Sequence, residues 1–268
     1  MTSFPARPRV LVHGHRGARA IFPENTIPAF AYAIDIGADA LELDVAVTKD
    51  HVLVVSHDPQ INPEICTGPH PGAAIHELTL DQLREYDCGM LKNPRFPGQR
   101  AVPGTRIPTL EEVLDLANRG SFQFDIEIKS FPDQRELTPA AEVFARMVIE
   151  AVRARQLEPR VVVQSFDYGV LHEMKRLAPE IRLAALWEDD ARPFDAMAHV
   201  AEADIVSPRF NLVTAGQVRT AHEHDIAVVP WTANTAQDWR RLIDAGVDGI
   251  ITDDPAALIA YLKETEPV

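Results

Sequence analysis

Glu42 and Asp44 stand two residues apart in the stretch from Asp39 to Thr48, where apolar and other side chains alternate as they do on a β-strand. Successive side chains on a strand point to opposite faces, so these two carboxylates project from the same one. Flanking Leu41, Leu43, Val45 and Val47 imply a strand with little water on either side. A carboxylate pair in such a setting is better suited to holding a metal ion than to forming a solvated polar face.

Other residues with chemical potential recur at the ends of apolar segments. His15-Arg16 closes the first segment, and His57-Asp58 closes a short extension of the second. Glu127 and Lys129, again two apart, end a third, while Gln164-Ser165-Phe166, Pro230-Trp231-Thr232 and Thr252-Asp253 end later ones. Singly, each has a plain structural explanation. Glu127 with Lys129 could be a salt bridge, Trp231 a core residue, and His13, His51, His70, His76 and His199 hydrogen-bonding or capping residues.

Together they suggest a reaction centre. Three carboxylates in one pocket repel one another unless a cation neutralises them. Oxygen ligands without cysteine suit a hard divalent ion, Mg²⁺ or Ca²⁺. Arg16 and Lys129 then suit the phosphate of an anionic substrate, with Trp231 as a wall of its pocket. Imidazole titrates near neutrality, so His15 and His57 can divide proton removal and proton donation between them.

The elements that must position these groups alternate regularly. Strands are expected at 9–14, 39–48, 122–129, 160–165, 181–186, 204–207, 226–231 and 247–251. Helices are expected at 27–36, 109–118, 139–155, 168–177, 194–200, 214–223, 235–243 and 255–262. Eight such units predict a (β/α)8 TIM barrel with its site at the strand C-termini, and a doubly wound open sheet is the alternative. Residues 59–108 interrupt the rhythm with eight prolines around one short helix that opens on a Thr79-to-Gln82 capping box. This is a small insertion after the second strand, of a length typical of a lid or binding loop. No linker divides the chain, so residues 1–268 are expected to be one domain.

The net charge of −14 opposes nucleic acid phosphates and anionic membrane surfaces, and no basic run offsets it. The N-terminal segment lacks the apolar core of a leader and no apolar run approaches ~18 residues, so a soluble cytoplasmic protein is expected. Cys66 and Cys88 could in principle pair, but nothing in the sequence indicates an oxidising compartment, and they are expected to be free, reduced thiols.

With these residues in place, the sequence resembles the glycerophosphodiester phosphodiesterase family over nearly its whole length. The resemblance is carried by His15-Arg16-Gly17-Ala18, Pro23-Glu24-Asn25-Thr26, Glu42-Leu43-Asp44-Val45, Thr48-Lys49-Asp50 and His57-Asp58. Ile126-Glu127-Ile128-Lys129, Ser165-Phe166, Trp231-Thr232 and the segment Gly246 to Pro255 extend it. It implies a (β/α)8 barrel with an insertion after the second strand, metal ligands at Glu42, Asp44 and Glu127, catalytic histidines at His15 and His57, and phosphate contacts from Arg16 and Lys129. The implied reaction cleaves a small-molecule glycerophosphodiester to an alcohol and glycerol 3-phosphate. A lysophospholipase D acting on lipid monomers and a catalytically silent metal- and phosphate-binding barrel are the competing readings. His51 stands where such sequences commonly have a turn glycine, and histidine tolerates positive φ well enough to keep the turn. Asp125 either adds a carboxylate to the site or lies deeper in the barrel.

Overall fold

The computed structural model describes residues 9–134, 136–190 and 192–265, so the N-terminal segment 1–8, on which the expectation about a leader rests, lies outside the described residues. The strands are β1 (Leu11–Gly14), β2 (Ala40–Val47), β3 (Leu53–Val55), β4 (Gln123–Ile128), β5 (Val161–Ser165), β6 (Arg182–Trp187), β7 (Ile205–Pro208), β8 (Ala227–Val228) and β9 (Gly249–Thr252). All but β3 pair in parallel, in the order β8-β7-β6-β5-β4-β2-β1-β9. The two ends meet through backbone bonds from Asp248 N to Val228 O and from Ile251 N to Pro230 O, both 3.0 Å. The expected (β/α)8 barrel is thus formed. β8 is shorter than the sequence suggests because Pro230 has no amide hydrogen to donate to a ladder.

The helices are α1 (Ile27–Asp35), α2 (Leu80–Leu83), α3 (Leu110–Leu114), α4 (Ala141–Arg153), α5 (Tyr168–Leu177), α6 (Phe194–Ala201), α7 (Ala215–His222), α8 (Ala236–Ala245) and α9 (Pro255–Thr265). The predicted capping box of Thr79 with Gln82 is present on α2, and Thr109 with Glu112 forms another on α3.

Burial on two sides fixes the register of the strands that carry the carboxylates. Leu41, Leu43, Val45 and Val47 of β2 join Phe124, Ile126 and Ile128 of β4 in the core against the helices. Each such side chain contributes roughly 1.5–3 kcal/mol by leaving water. The alternate residues Glu42, Asp44, Asp125 and Glu127 therefore face the barrel interior, with Glu42 opposite Asp125 and Asp44 opposite Glu127. A slip of one residue would drive all four carboxylates into the apolar layer, so this register has no close competitor.

β3 runs antiparallel to β2 after a turn in which His51 has φ 61°, as the sequence allows. The excursion that follows has its own small core of Ile61, Ile75, Leu78, Leu83, Tyr86 and Ile107, seated on Ala46 and Val54. It is tied to the loop after β1: Asn93 Nδ2 donates to Glu24 Oε2 (2.7 Å), Gln99 Nε2 to Arg19 O (2.7 Å), and Arg100 N to Ile21 O (2.7 Å).

One expectation fails here: Cys66 and Cys88 are joined in a disulfide. The physical reason is the reciprocal backbone pairing of Thr67 with Asp87, which sets the two flanking cysteines side by side. Residues 22 apart gave no hint of this in the sequence. Closing a loop of that size restricts the unfolded chain, a stabilisation of about 3 kcal/mol. Titrating unreduced, denatured protein should therefore find no free thiol, and reduction should lower the unfolding temperature. Two reactive thiols and no response to reductant would show the bridge to be absent.

Candidate active site

The parallel strands deliver Glu42, Asp44 and Glu127 to one place. One carboxylate oxygen from each lies within 4.8 Å of the others, and all three residues are buried. Asp44 receives the most support: Asn25 Nδ2 donates to its Oδ2 at 2.8 Å, and Arg16 Nε lies 3.2 Å from the same oxygen. Its Oδ1 makes no hydrogen bond, although Lys129 Nζ is 3.3 Å away. Lys129 also donates to Glu127 Oε1 at 2.7 Å. Glu42 accepts from the Arg16 backbone N–H (2.8 Å) and from Gln164 Nε2 (3.1 Å).

The three acids respond differently to this shared burial. Loss of water pushes the Glu127 carboxyl up to about 7, with Asp44 adding to the rise and Lys129 opposing it. Glu42 is raised well above the usual carboxylate range by burial and then by the charges of Asp44, Glu127 and Asp125. Burial would raise Asp44 too, but the positive charges of Lys129 and Arg16 outweigh it and hold the group well below its ordinary value. Lys129 is raised, because Glu127 and Asp44 outweigh its own desolvation.

The surrounding charges do not balance. Apart from the buried pair His13–Asp125, five carboxylates (Glu24, Glu42, Asp44, Glu127, Asp253) interlock with three cations (Arg16, Arg19, Lys129). With the carboxylates ionised and His15 neutral, as its burial favours, this network carries an excess of two negative charges. A divalent ion beside the unsatisfied Asp44 Oδ1 would offset that excess, and three carboxylates with no sulfur ligand match a hard cation.

His15 and His57 sit beside this cluster. His15 follows the end of β1, where its backbone N–H donates to Thr252 O (2.9 Å), and its Nε2 is 3.9 Å from Glu42 Oε2. Burial lowers its pKa, and Arg16 and Arg19 add to that effect against the opposing pull of Asp253. His57 is half-exposed, just beyond β3, close enough for its charge to lower Asp44. A small cavity of about 30 Å³ beside it is lined by Glu24, Asn25, His57, Asp58 and Asn62, with the disulfide as part of its wall. Trp231 donates its indole N–H to Ser207 O (2.8 Å) and packs edge-to-face with the exposed Phe166 ring at 5.6 Å.

All eight candidate residues thus converge on the strand C-termini. Arg16 differs from its expected freedom to meet a phosphate: it is buried and also bonded to Glu24 Oε1 at 2.5 Å. Asp125 lies deeper, with His13 Nδ1 3.1 Å from its Oδ2. Sequence reasoning gave no role to Arg19, Glu24, Asn25, Asp58, Gln164, Asn234 or Asp253, which brace the candidates. Glu24 and Asn25 sit within a quoted motif, and that was the only signal for them. A groove of about 840 Å³ lined by Val218, Arg219, His222 and Asp248 contains none of these residues.

The profile of the Glycerophosphoryl diester phosphodiesterase family matches residues 15–257 of the chain. The chain belongs to this family. Members of the family include a glycerophosphodiester phosphodiesterase from Caldanaerobacter subterraneus, 34% identical over 256 residues, with 96% of this chain and 99% of the relative covered. A crystal structure from Silicibacter pomeroyi DSS-3 superposes with a TM-score of 0.89 at 32% identity, over 96% of this chain and 95% of that one. The fold is also shared by an Oleispira antarctica phosphodiesterase solved with its product sn-glycerol-3-phosphate, at a TM-score of 0.81 and 20% identity over 96% and 97% of the two chains. The protein is accordingly a glycerophosphodiester phosphodiesterase, and its acidic triad is placed to hold a metal ion.

The raised carboxyls give the triad a pH signature. Glu127 takes up a proton as pH falls through about 7, and an incoming cation must displace it. Apparent affinity for a metal ion should therefore rise between about pH 5.5 and 8, with proton release near neutrality. The sign for the metal-free fold is opposite. A carboxyl raised on folding contributes stability that is full below its unfolded value near 4.5 and is lost as pH rises through about 7. Calorimetric titration in buffers of different ionisation heat measures the released protons. Affinity independent of pH with no proton release would contradict the assignment.

Proposed function

We propose that the protein hydrolyses soluble glycerophosphodiesters to an alcohol and glycerol 3-phosphate in a reaction that depends on Mg²⁺ or Ca²⁺, with His15 and His57 as the proton-transfer groups. The observation that carries this reading is the acidic triad flanked by two imidazoles and two cationic side chains at one barrel rim. Glu42, Asp44 and Glu127 would hold the divalent ion, which would supply positive charge to the phosphoryl group when bound. Lys129, and Arg16 through the positive charge it keeps beside Asp44, favour the phosphate over neutral ligands.

One imidazole takes the proton of the attacking oxygen, and the other gives a proton to the leaving alcohol. That division requires the two rings to be in opposite protonation states when the substrate is bound. The difference in burial between His15 and His57 supports such a split, since a buried ring favours the neutral form. The Oleispira phosphodiesterase of the same fold holds sn-glycerol-3-phosphate as its product, which agrees with glycerol 3-phosphate as the product here.

Soluble diesters such as glycerophosphocholine or glycerophosphoethanolamine fit the rim better than lipids do. Among the described residues of the excursion, Met90 is the one large hydrophobic side chain that is strongly exposed, at 52%. A protein that works at a membrane benefits from an apolar or basic amphipathic element beside its site, and the net charge of −14 points the other way. The excursion acts as a cap over a small-molecule pocket. Among the described residues no helix is long and apolar enough to cross a membrane.

Two outcomes follow from this reading. Exhaustive chelation should abolish release of glycerol 3-phosphate, and His15→Ala and His57→Ala should each lower turnover by about 10²-fold or more with unchanged circular dichroism. A folded histidine variant that turns over normally would remove that residue from the mechanism, and full activity after chelation would remove the metal. The substrate class is tested by kcat/KM for glycerophosphocholine against lysophosphatidylcholine under the same metal conditions. Preference for the first is expected. Preference for the second, or tight binding to liposomes, would make the enzyme a lysophospholipase D.

A further inference from the structure

The two histidines are braced in the same way by unrelated parts of the chain. His15 Nδ1 meets Asp253 Oδ1 at 2.5 Å, and the other oxygen of Asp253 accepts from Asn234 Nδ2 at 2.7 Å. His57 Nδ1 meets Asp58 Oδ1 at 2.7 Å, and the other oxygen of Asp58 accepts from Asn62 Nδ2 at 2.9 Å. Each asparagine is itself locked. Asn234 Oδ1 accepts from Asp253 N (2.9 Å) and Thr252 Oγ1 (3.1 Å), and Asn62 Oδ1 accepts from Glu64 N (2.9 Å).

An ionised carboxylate only accepts hydrogen bonds, so each of these contacts requires a proton on Nδ1. Both aspartates are held in the ionised range. Burial would raise Asp253, but His15 and Arg19 outweigh it; for Asp58 the bond from His57 is the leading cause. With Nδ1–H committed, a neutral ring has its lone pair on Nε2, the nitrogen that in His15 points towards the Glu42 side of the pocket. Neither aspartate touches the carboxylate triad through a hydrogen bond, and neither is placed to meet a phosphate. Their shared property is control of which ring nitrogen is free.

We propose that Asp253 with Asn234, and Asp58 with Asn62, are positioning pairs that hold a proton on Nδ1 of His15 and His57, so that Nε2 of each ring, bare in the base and protonated in the acid, is the nitrogen that faces the substrate. The inference rests on the two-histidine reading above and adds the residues that make the two rings competent. It joins β9 and the loop after β8 to the catalytic function of the β1 end, across 238 residues of sequence.

Asp253→Asn separates tautomer control from simple support. Because Asn234 can only donate at that point, the new amide must turn its oxygen to Asn234 and its NH2 to His15. A donor aimed at Nδ1 moves the ring proton to Nε2 and removes the free lone pair from the pocket. Turnover should fall by about 10²-fold or more while KM and divalent-ion affinity stay within about threefold. In a His15→Ala background the same change should add less than about threefold, since there is no ring left to orient.

The tautomer is read directly from imidazole nitrogen NMR of the metal-free protein. The wild type should show His15 with Nδ1 protonated and Nε2 bare, and Asp253→Asn should show the reverse. A wild-type ring protonated on Nε2, or an Asp253→Asn enzyme of near-normal kcat beside a crippled His15→Ala, would overturn this inference alone. Near-normal turnover by His15→Ala would overturn the two-histidine reading and this inference with it. Should Asp253→Asn not fold, Asp58→Asn applies the same logic to His57, on the solvent-exposed side of the pocket.

Discussion

Three carboxylates packed into the interior of a barrel are the constraint to which the rest of this molecule answers. The apolar faces of β2 and β4 leave Glu42, Asp44 and Glu127 no alternative orientation, so the repulsion among them is built in by the register of two neighbouring strands. Hydrophobic burial of the alternate residues stabilises what electrostatics opposes. The opposition is then reduced by Arg16 and Lys129, each just beyond a strand end, and by Asn25 just before α1. What remains is a local negative excess that a divalent cation can complete.

The peripheral segments make sense as consequences. The loop after β1 turns sharply, with Arg16 and Asn25 both at positive φ, and this turn places the Arg16 backbone N–H against Glu42 and the Asn25 amide against Asp44. The excursion between β3 and α3 bonds back to that same loop through Asn93, Gln99 and Arg100. Its disulfide and its small core thereby stiffen the ground on which His57 stands. The braces are not independent: Glu24 bonds both Arg16 in the site and Asn93 in the excursion, which couples the two.

Much of this was legible from local pattern. Period-two alternation in β2 and β4 identifies both the buried face and the carboxylate face, and strand-end clustering gathers all eight candidate residues on one rim. The turn at His51 and the Thr79–Gln82 capping box follow from short-range rules. What could not be seen were contacts that depend on closure of the barrel. The His15–Asp253 bond needs the first and last strands to be neighbours, and no periodicity encodes that distance. The disulfide was misjudged for a different reason: the pairing of Thr67 with Asp87 arises from the fold of an irregular segment without periodicity. Asp125 carried two alternatives in the sequence, and its partner His13 places it below the site. Arg16 was identified by type and position, yet its burial against Glu24 and Asp44 is a tertiary fact.

The central claim is that the carboxylate triad is a cation site and that Lys129 partly substitutes for the cation when none is bound. The most direct measurement is a crystal structure of the protein grown with Mn²⁺, a hard oxygen-seeking ion whose anomalous scattering marks its position. The account predicts an anomalous peak bonded to Glu42, Asp44 and Glu127, with Lys129 Nζ withdrawn from the Glu127 and Asp44 oxygens it approaches at 2.7 and 3.3 Å. A saturated crystal with no peak among these carboxylates and Lys129 still seated between them would contradict it.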